Sequence, residues 1–178
     1  MAVCGTPGTG KTRILNAFRD DDFVFTVTMS EAIKEHKLYS EYDDEMGAYV
    51  MDECKVKKFV QKLIGSLGRV ASCKALLIET HTPSVLPKRK SHAIVLQCDT
   101  HVLYDRLKAR GYHQKKCEEN VQAEIMQVVW EEAVERFGEK KVKCFVNNTL
   151  EDHWAVVDYI REQIADYEKS HYEKTQKK

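Results

Sequence analysis

The sequence predicts an α/β fold in which helices cover both faces of a five-stranded parallel sheet, a doubly wound arrangement. Two features of the chain support this prediction. Five short runs of apolar and β-branched residues occur along it, and strands that are apolar on both faces suit a parallel sheet buried on both sides. Stretches with helical spacing of apolar residues separate these runs, and such alternation is typical of this fold class. A chain of 178 residues corresponds to a single domain.

The predicted strands are each four to six residues long. They occupy residues 1–4, 23–28, 75–80, 93–98 and 142–146. The predicted helices lie between these strands and after the last one, at residues 12–18, 56–67, 101–109, 116–137 and 150–167. In each helical stretch the apolar side chains recur at three- and four-residue intervals and therefore share one face.

The segment between the second and third predicted strands is too long to be a simple connection. We interpret it as an insertion at the carboxyl edge of the sheet. Three tyrosines there, Tyr39, Tyr42 and Tyr49, interleave with acidic residues, and they either stack on a base or anchor a solvated loop. At the other end of the chain, residues 169–178 are polar with four lysines, which predicts a solvated, flexible tail.

Composition and charge exclude several classes of protein. Lys plus Arg and Asp plus Glu each number 28, so the formal net charge is zero, which argues against a nucleic-acid binder that works through bulk positive charge. Because no apolar run reaches about 18 residues and no leader pattern precedes Gly5, we expect neither a transmembrane helix nor a signal peptide. The six cysteines show no C-x-x-C spacing, so we expect reduced thiols and no zinc site.

The strongest motif is the run Gly5-Thr6-Pro7-Gly8-Thr9-Gly10-Lys11-Thr12, which matches G-x-x-x-x-G-K-[ST] at every fixed position. It follows a predicted strand and precedes a predicted helix, as a phosphate-binding loop (P-loop) requires. Its glycines let backbone N–H groups turn toward a phosphate, and the helix directs its positive end at the same anion. Lys11 is predicted to reach the β- and γ-phosphates, and the Thr12 hydroxyl to bind Mg²⁺.

A carboxylate, Glu79, stands at the end of the third predicted strand. P-loop enzymes use such a group to hold the magnesium shell, and ligands of open α/β sheets bind at the carboxyl edge. We therefore predict Thr12 and Glu79 as metal ligands. His81 lies two residues later and faces the same side. It either orients a water or contacts the γ-phosphate, or it is an ordinary hydrogen-bonded loop histidine.

Two arginines form a third candidate group. Arg106 and Arg110 are four residues apart and share one helix face, and Gly111 is predicted to end that helix. Phosphoryl transfer requires mobile cations that neutralise the transferring group and close over it. The arginines therefore predict a short lid over residues 109–119, although a basic helix end also complements the helix dipole.

Several segments, taken in order, carry a family resemblance. They are residues 5–12, 38–45 and 52–53, Glu79-x-His81, Leu103-Tyr104-x-Arg106-Leu107-x-x-Arg110-Gly111-Tyr112 and Asn120-x-x-x-Glu124-Ile125. With these segments the chain resembles the adenylate kinase isoenzyme 6 family over nearly its whole length. The arginine run and the Asn120 motif are more specific than the P-loop, which many families share.

The resemblance implies a P-loop NTPase fold and an adenylate kinase that transfers the γ-phosphate of ATP to AMP and also hydrolyses ATP. It implies ATP and Mg²⁺ as cofactors, AMP or another nucleoside monophosphate (NMP) as the acceptor and an NMP-binding insertion over residues 29–59. Because no long apolar run is present, we also expect no membrane association. The residues expected to contact ATP are Gly8, Thr9, Gly10, Lys11, Thr12, Arg13, Arg110, Asn148 and Thr149. The residues expected to act in catalysis are Lys11, Glu79, His81, Arg110 and, as a weaker candidate, Arg106.

The resemblance also implies a role in maturation of the small-subunit rRNA. It implies a ribosomal protein of the uS11 (S14) type and the pre-small-subunit particle as partners, and location in the nucleus and the cytoplasm. Two alternatives stay open: an ATP-driven assembly switch with little or no kinase activity, and a kinase for another small metabolite. The family usually has Asp at the position of Glu79 and a hydroxyl residue at that of Arg13, so the chain is a divergent member.

Overall fold

The computed structural model describes residues 1–44, 47–70, 72–88 and 92–176. The strands are β1 (Ala2–Gly5), β2 (Val24–Thr28), β3 (Tyr39–Asp43), β4 (Ala48–Met51), β5 (Ala75–Thr80), β6 (Ala93–Gln97) and β7 (Val142–Val146). The helices are α1 (Lys11–Asn16), α2 (Met29–Glu35), α3 (Glu53–Leu67), α4 (Thr100–Ala109), α5 (Gln114–Ile125), α6 (Val128–Phe137) and α7 (Leu150–Gln176). Within these ranges, no helix is both long and apolar enough to cross a membrane.

Five parallel strands form the central sheet in the order β2-β5-β1-β6-β7. After β1 the chain forms β2 and β5 on one side of β1. It then forms β6 and β7 on the other side. The direction of winding therefore reverses beside β1, and ligands of open α/β sheets bind at such a switch point. The five predicted strands and the parallel fold class are confirmed.

The sheet is covered on both faces, as the apolar strands predicted. Ala2 and Cys4 of β1 point into a core that α2, α3 and α6 complete. Val3, between them, points into a second core that is completed by α1 and α7. The alternation follows from the two-residue period of a strand. A third, smaller cluster lies between α4 and α5, and all six cysteines are free thiols.

The insertion contains a β-hairpin that the sequence did not predict. Strands β3 and β4 pair antiparallel and are largely exposed, so they lack the two-sided apolar pattern that marked the central strands. The ring of Tyr49 lies 4.3 Å from that of Tyr39 and 5.0 Å from that of Tyr42, centroid to centroid. The tyrosines therefore pack on one another across the hairpin. Residues 45 and 46, of which the first belongs to the family resemblance, lie outside the described residues.

The helix predicted over residues 116–137 is two helices, so that prediction is wrong at its centre. Gln127, between α5 and α6, adopts a left-handed conformation with φ 52°. Each helix buries a different surface: Cys117 of α5 packs against α4, whereas Val129 and Phe137 of α6 pack on the sheet. A single straight helix cannot direct its apolar stripe toward both, so the chain breaks between them.

Helix α7 runs beyond residue 167, where the sequence predicted its end. The segment predicted as a flexible tail from residue 169 is helical through Gln176, and residues 177–178 lie outside the described residues. No glycine or proline follows Leu150, so no helix-breaking residue interrupts the backbone. An ion pair between Lys74 and Glu168, at 2.9 Å, ties this part of α7 to the segment before β5.

Candidate active site

The run predicted as a P-loop connects β1 to α1 and is built on glycines in left-handed conformations. Gly8 has φ 100° and Gly10 has φ 101°, values that L-residues with side chains rarely adopt. A Cβ atom at Gly8 would lie 2.7 Å from Cδ1 of Leu103, and one at Gly10 would overlap the amide of Asn147. The loop therefore accepts only glycine at these positions, and its open backbone suits a bound phosphate group.

Lys11 is held inside this loop. Its side chain is buried, and its Nζ donates a hydrogen bond of 3.0 Å to the carbonyl oxygen of Thr6. The same oxygen accepts from the backbone N–H and the hydroxyl of Thr9. Burial lowers the pKa of Lys11 to about 8, while the negative charge of Glu79 opposes this change. The ammonium therefore stays predominantly charged at pH 7.

The two predicted metal ligands lie together at the carboxyl edge of the sheet. The hydroxyl of Thr12 donates a 3.0 Å hydrogen bond to Oε1 of Glu79, and that of Thr28 donates to Oε2 at 3.3 Å. Two oxygen donors beside a phosphate cradle fit Mg²⁺, which is bound through few protein ligands plus phosphates and water. Among the described residues, no cluster of three or more His, Cys, Asp or Glu side chains could hold a metal by itself.

His81 follows β5 and is exposed to solvent. Surrounding protein atoms and, second, the positive charge of Lys11 lower the pKa of its imidazole to about 4. Solvent around the exposed ring screens part of this effect, and a lowered pKa in either case leaves the imidazole neutral at pH 7. A neutral imidazole can accept a proton or a hydrogen bond from water, which agrees with one of the two predicted roles.

The loop after β7 closes one side of the P-loop. The buried side chain of Asn147 donates a 2.7 Å hydrogen bond to the carbonyl oxygen of Thr9. Asn148 accepts from the backbone N–H of Asp99 through its side chain, and Thr149 exchanges hydrogen bonds with Asp152 at the start of α7. Of this loop, Asn147 touches the P-loop, and Asn148 and Thr149 directly follow Asn147 in the chain. Their contact with ATP stays a prediction.

The two arginines of the predicted lid have different surroundings. Arg106 donates hydrogen bonds of 2.8 and 2.7 Å to the carbonyl oxygens of Asn147 and Asn148. It therefore positions the loop after β7, and the structure does not place it toward a transferring phosphoryl group as the sequence predicted. Arg110 is exposed in the turn after α4, and its charge contributes to the lowered pKa of Lys11.

Comparisons with known proteins place the chain in a family. Residues 1–127 match the family model described as an AAA domain. The adenylate kinase isoenzyme 6 homolog of Dictyostelium discoideum is 32% identical over 96% of this chain and 94% of its own length. The homolog of Schizosaccharomyces pombe is 29% identical over the same shares. The chain belongs to the adenylate kinase isoenzyme 6 family.

A solved structure supports the fold of this adenylate kinase isoenzyme 6 family member. The chain resembles shikimate kinase from Bacteroides thetaiotaomicron with a TM-score of 0.52 and 16% identity, over 92% of this chain and 96% of that one. At this identity the likeness concerns the fold alone. It agrees with the α/β fold described above.

The two departures from the adenylate kinase isoenzyme 6 family have different consequences. Glu79, one methylene longer than the usual Asp, still reaches the Thr12 hydroxyl, so the carboxylate and the hydroxyl remain paired. Arg13, expected to contact ATP, is exposed on α1, and its charge helps to lower the pKa of His153. Its side chain has no hydroxyl, so any contact with a phosphate would come from the N–H groups of its guanidinium.

Sequence reasoning about this family member missed functional side chains that form the walls of the site. The family resemblance places Asn147 in the loop that flanks the adenine, without a task for its side chain. Glu124 belonged to a motif without a role, and Thr28 to the end of a predicted strand. For Thr28 a signal existed, because a polar residue at the carboxyl end of a buried strand faces the ligand edge. Glu124 and Asn147 meet the P-loop only through tertiary structure, which no local pattern reveals.

Proposed function

We propose that the protein transfers the γ-phosphoryl group of ATP to AMP or a related NMP. The observation that carries this proposal is the convergence of Lys11, Thr12 and Glu79 around a glycine cradle at the carboxyl edge of the sheet. Relatives named adenylate kinase isoenzyme 6 homologs, matching almost the whole chain, support the same activity.

Each residue of the site has a separate task in this proposal. The backbone of the P-loop and the Lys11 ammonium bind the β- and γ-phosphates. The Thr12 hydroxyl and the Glu79 carboxylate hold Mg²⁺, which supplies charge neutralisation on the phosphate oxygens when bound. Arg110, exposed in the turn after α4, approaches the transferring group from the side of the lid. Positioning and electrostatic stabilisation then suffice, and no covalent enzyme intermediate is required.

The acceptor belongs in the insertion over residues 29–59. This insertion starts directly after Thr28, whose hydroxyl donates to Glu79, so its first helix begins at the metal ligand. The rings of Tyr42 and Tyr49 remain exposed in the hairpin, and exposed aromatic faces are suited to stacking on a base. These features support an NMP, with AMP as the first candidate.

A second candidate function is slow ATP hydrolysis that drives a change of binding partner. The neutral, exposed ring of His81, two residues beyond Glu79, favours it because such a ring can orient a water molecule near the γ-phosphate. The candidate partners are a ribosomal protein of the uS11 type and the pre-small-subunit particle, in the nucleus and the cytoplasm. Binding of such a purified ribosomal protein in the presence of ATP and of ADP tests this candidate.

The deciding experiment measures ADP production from Mg-ATP by the purified protein, with and without AMP. If the kinase proposal is correct, AMP raises the rate many-fold and two ADP form for each ATP consumed. If ATP is hydrolysed slowly and AMP has no effect, the kinase proposal fails and the second candidate replaces it. Lys11→Ala is the control, because it should lower either activity by at least ~100-fold, and retained turnover would contradict the P-loop assignment.

A further inference from the structure

We infer that Glu124 is a positioning residue that ties helix α5 to the P-loop and thereby fixes Lys11. This inference rests on the proposed function of the same site. The motif Asn120-x-x-x-Glu124-Ile125 was singled out in the sequence, yet the tasks assigned above use none of its residues. The structure separates its two polar members: Asn120 donates to the carbonyl oxygen of Lys116 within α5, whereas Glu124 reaches the active site.

The Glu124 carboxylate joins three parts of the fold. Its Oε2 accepts a hydrogen bond from the hydroxyl of Thr6, a residue 118 positions earlier in the chain. Its Oε1 accepts a 2.9 Å hydrogen bond from the backbone N–H of Cys98, directly after β6. One side chain therefore connects α5 to the loop after β1 and to the end of the neighbouring strand.

Thr6 passes this restraint to the catalytic lysine. The residue is almost completely buried, with 1% of its surface exposed. Its carbonyl oxygen is the acceptor for Lys11 Nζ at 3.0 Å and for the Thr9 hydroxyl at 2.9 Å. A shift of Thr6 would therefore move the acceptor to which the Lys11 ammonium is hydrogen-bonded. In the described structure, the hydroxyl that Glu124 holds and the carbonyl that Lys11 needs belong to one residue.

The negative charge of Glu124 is a cost at this site, and the hydrogen bonds of its carboxylate explain why a carboxylate is present. A carboxylate beside a phosphate cradle repels the nucleotide, and a glutamine could satisfy one of the two hydrogen bonds without that cost. What the carboxylate adds is two charge-assisted acceptors, which form shorter and stronger bonds than neutral groups do. Tight positioning of Thr6 therefore offsets the repulsion.

Helix α5 also connects this contact to the lid. It begins at Gln114, shortly after the turn that contains Arg110. The Tyr104 hydroxyl donates a 2.9 Å hydrogen bond to Gln114, which holds the start of α5 on α4. The predicted lid thus includes the first residues of α5, and Glu124 lies in its last turn. Helix α5 therefore connects the lid to the P-loop.

The test uses three variants in the full chain: Thr6→Val, which removes only the hydroxyl donor, Thr6→Ser, which keeps it, and Glu124→Gln. Glu135→Gln, on the exposed face of α6, is the matched control for loss of one carboxylate. AMP-dependent ADP formation gives kcat and KM for ATP. Hydrogen exchange of the backbone amides of residues 5–12, apart from Pro7, which has none, gives a readout that does not require kinase activity. The melting temperature reports folding.

We expect Thr6→Val and Glu124→Gln each to lower kcat about 10- to 100-fold, the size of effect of a misplaced catalytic group, with a much smaller change in KM. A fourth variant that combines Thr6→Val and Glu124→Gln should lose less kcat than the product of the two single losses, because both substitutions weaken the same contact between Thr6 and Glu124. Thr6→Ser should recover activity relative to Thr6→Val. In the two impaired variants, exchange at residues 5–12 should be faster than in Glu135→Gln.

Unchanged kcat and unchanged exchange in Glu124→Gln would overturn the inference. Additive losses in the double variant, or equal losses in Thr6→Ser and Thr6→Val, would also overturn it. If the unmodified protein shows no AMP-dependent activity, the proposed function fails by itself. The exchange measurement would then still decide whether Glu124 positions the P-loop.

Discussion

Two histidines show how the same side chain acquires different roles from its surroundings. His81 is exposed at the open edge of the sheet, and His153 is buried in the first turn of α7. The pKa of each is lowered by surrounding protein atoms and then by one nearby cation, Lys11 for His81 and Arg13 for His153. Both rings are therefore neutral at pH 7, but only the first is exposed to water.

For His81 we expect a difference between two reactions. His81→Ala should lower ATP hydrolysis by about 10-fold or more, because water loses the acceptor that orients it. A full general base supplies more, about 100- to 10,000-fold. Transfer to AMP should fall less, since the acceptor is positioned by its own binding site. Parallel assays of both reactions with the same preparation measure the ratio. Equal losses would deny His81 the task of orienting water.

For His153 we expect an effect on stability that depends on pH. Its Nδ1 is buried without a hydrogen-bond partner in the described structure. Below about pH 6.5 the unfolded chain binds a proton that the folded chain resists, so the free energy of unfolding falls as the pH falls. His153→Leu should reduce this dependence and raise stability at pH 7 by ~1 kcal/mol, because an unpaired buried group is removed.

Urea unfolding of the two proteins at pH 5 and pH 7 measures both effects. The same substitution at the exposed His101 is the control, and it should change neither quantity appreciably. A His153→Leu protein with the original pH dependence would show that other groups cause the loss of stability in acid.

At the scale of elements, sequence predicted the strands whose residue pattern follows directly from burial on both faces. The central strands β1 and β6 are buried on both faces, so their apolar runs identified them. The exposed hairpin and the junction of α5 and α6 had no such pattern. The junction depends on Gln127, which is neither Gly nor Pro, and its left-handed backbone follows from the two buried surfaces that the flanking helices serve.

The conformation of Gln127 yields a prediction about the junction. A residue with a side chain in the left-handed region is strained by ~1–2 kcal/mol, and glycine is not. Gln127→Gly should therefore raise the free energy of unfolding or leave it unchanged, despite the greater freedom of glycine in the unfolded chain. Gln127→Val should lower it by ~1 kcal/mol or more, because a β-branched side chain tolerates this conformation least. Chemical unfolding of both variants checks the order, and the opposite order would contradict a left-handed junction.

At the scale of the whole molecule, the site is assembled from segments that are distant in the chain. The sequence located the P-loop, Glu79 and His81, because each lies in or just after the carboxyl end of a recognisable strand. It could not show that Asn147 and Glu124 also hold the P-loop, since those contacts exist only when β6, β7 and α5 surround β1. Local sequence patterns thus predicted the residues with chemical roles. The residues that hold the P-loop in place are brought to it only by the packing of the sheet and helices.

Helix α7 shows which part of its length contributes to the core. Ile160 is completely buried in the core beside α1. Farther along α7, Glu168 forms an exposed ion pair with Lys74. Removal of residues 170–178 should change the free energy of unfolding by less than ~1 kcal/mol, because terminal segments tolerate change. Ile160→Ala should lower it by ~2–5 kcal/mol. Thermal and urea unfolding test the pair, and a large effect of the truncation would contradict this division.

The position of β1 in the sheet has a consequence for how the protein folds. Both strands that pair with β1 lie far along the chain from it. Ala2 is paired with Ile78 of β5 on one side and with Ala93 of β6 on the other. Contacts between distant segments close slowly, and chains that await them expose unpaired strands. During synthesis the nucleotide-binding loop is therefore made before both strands that flank β1, and we expect it to take its shape only after β6 has left the ribosome.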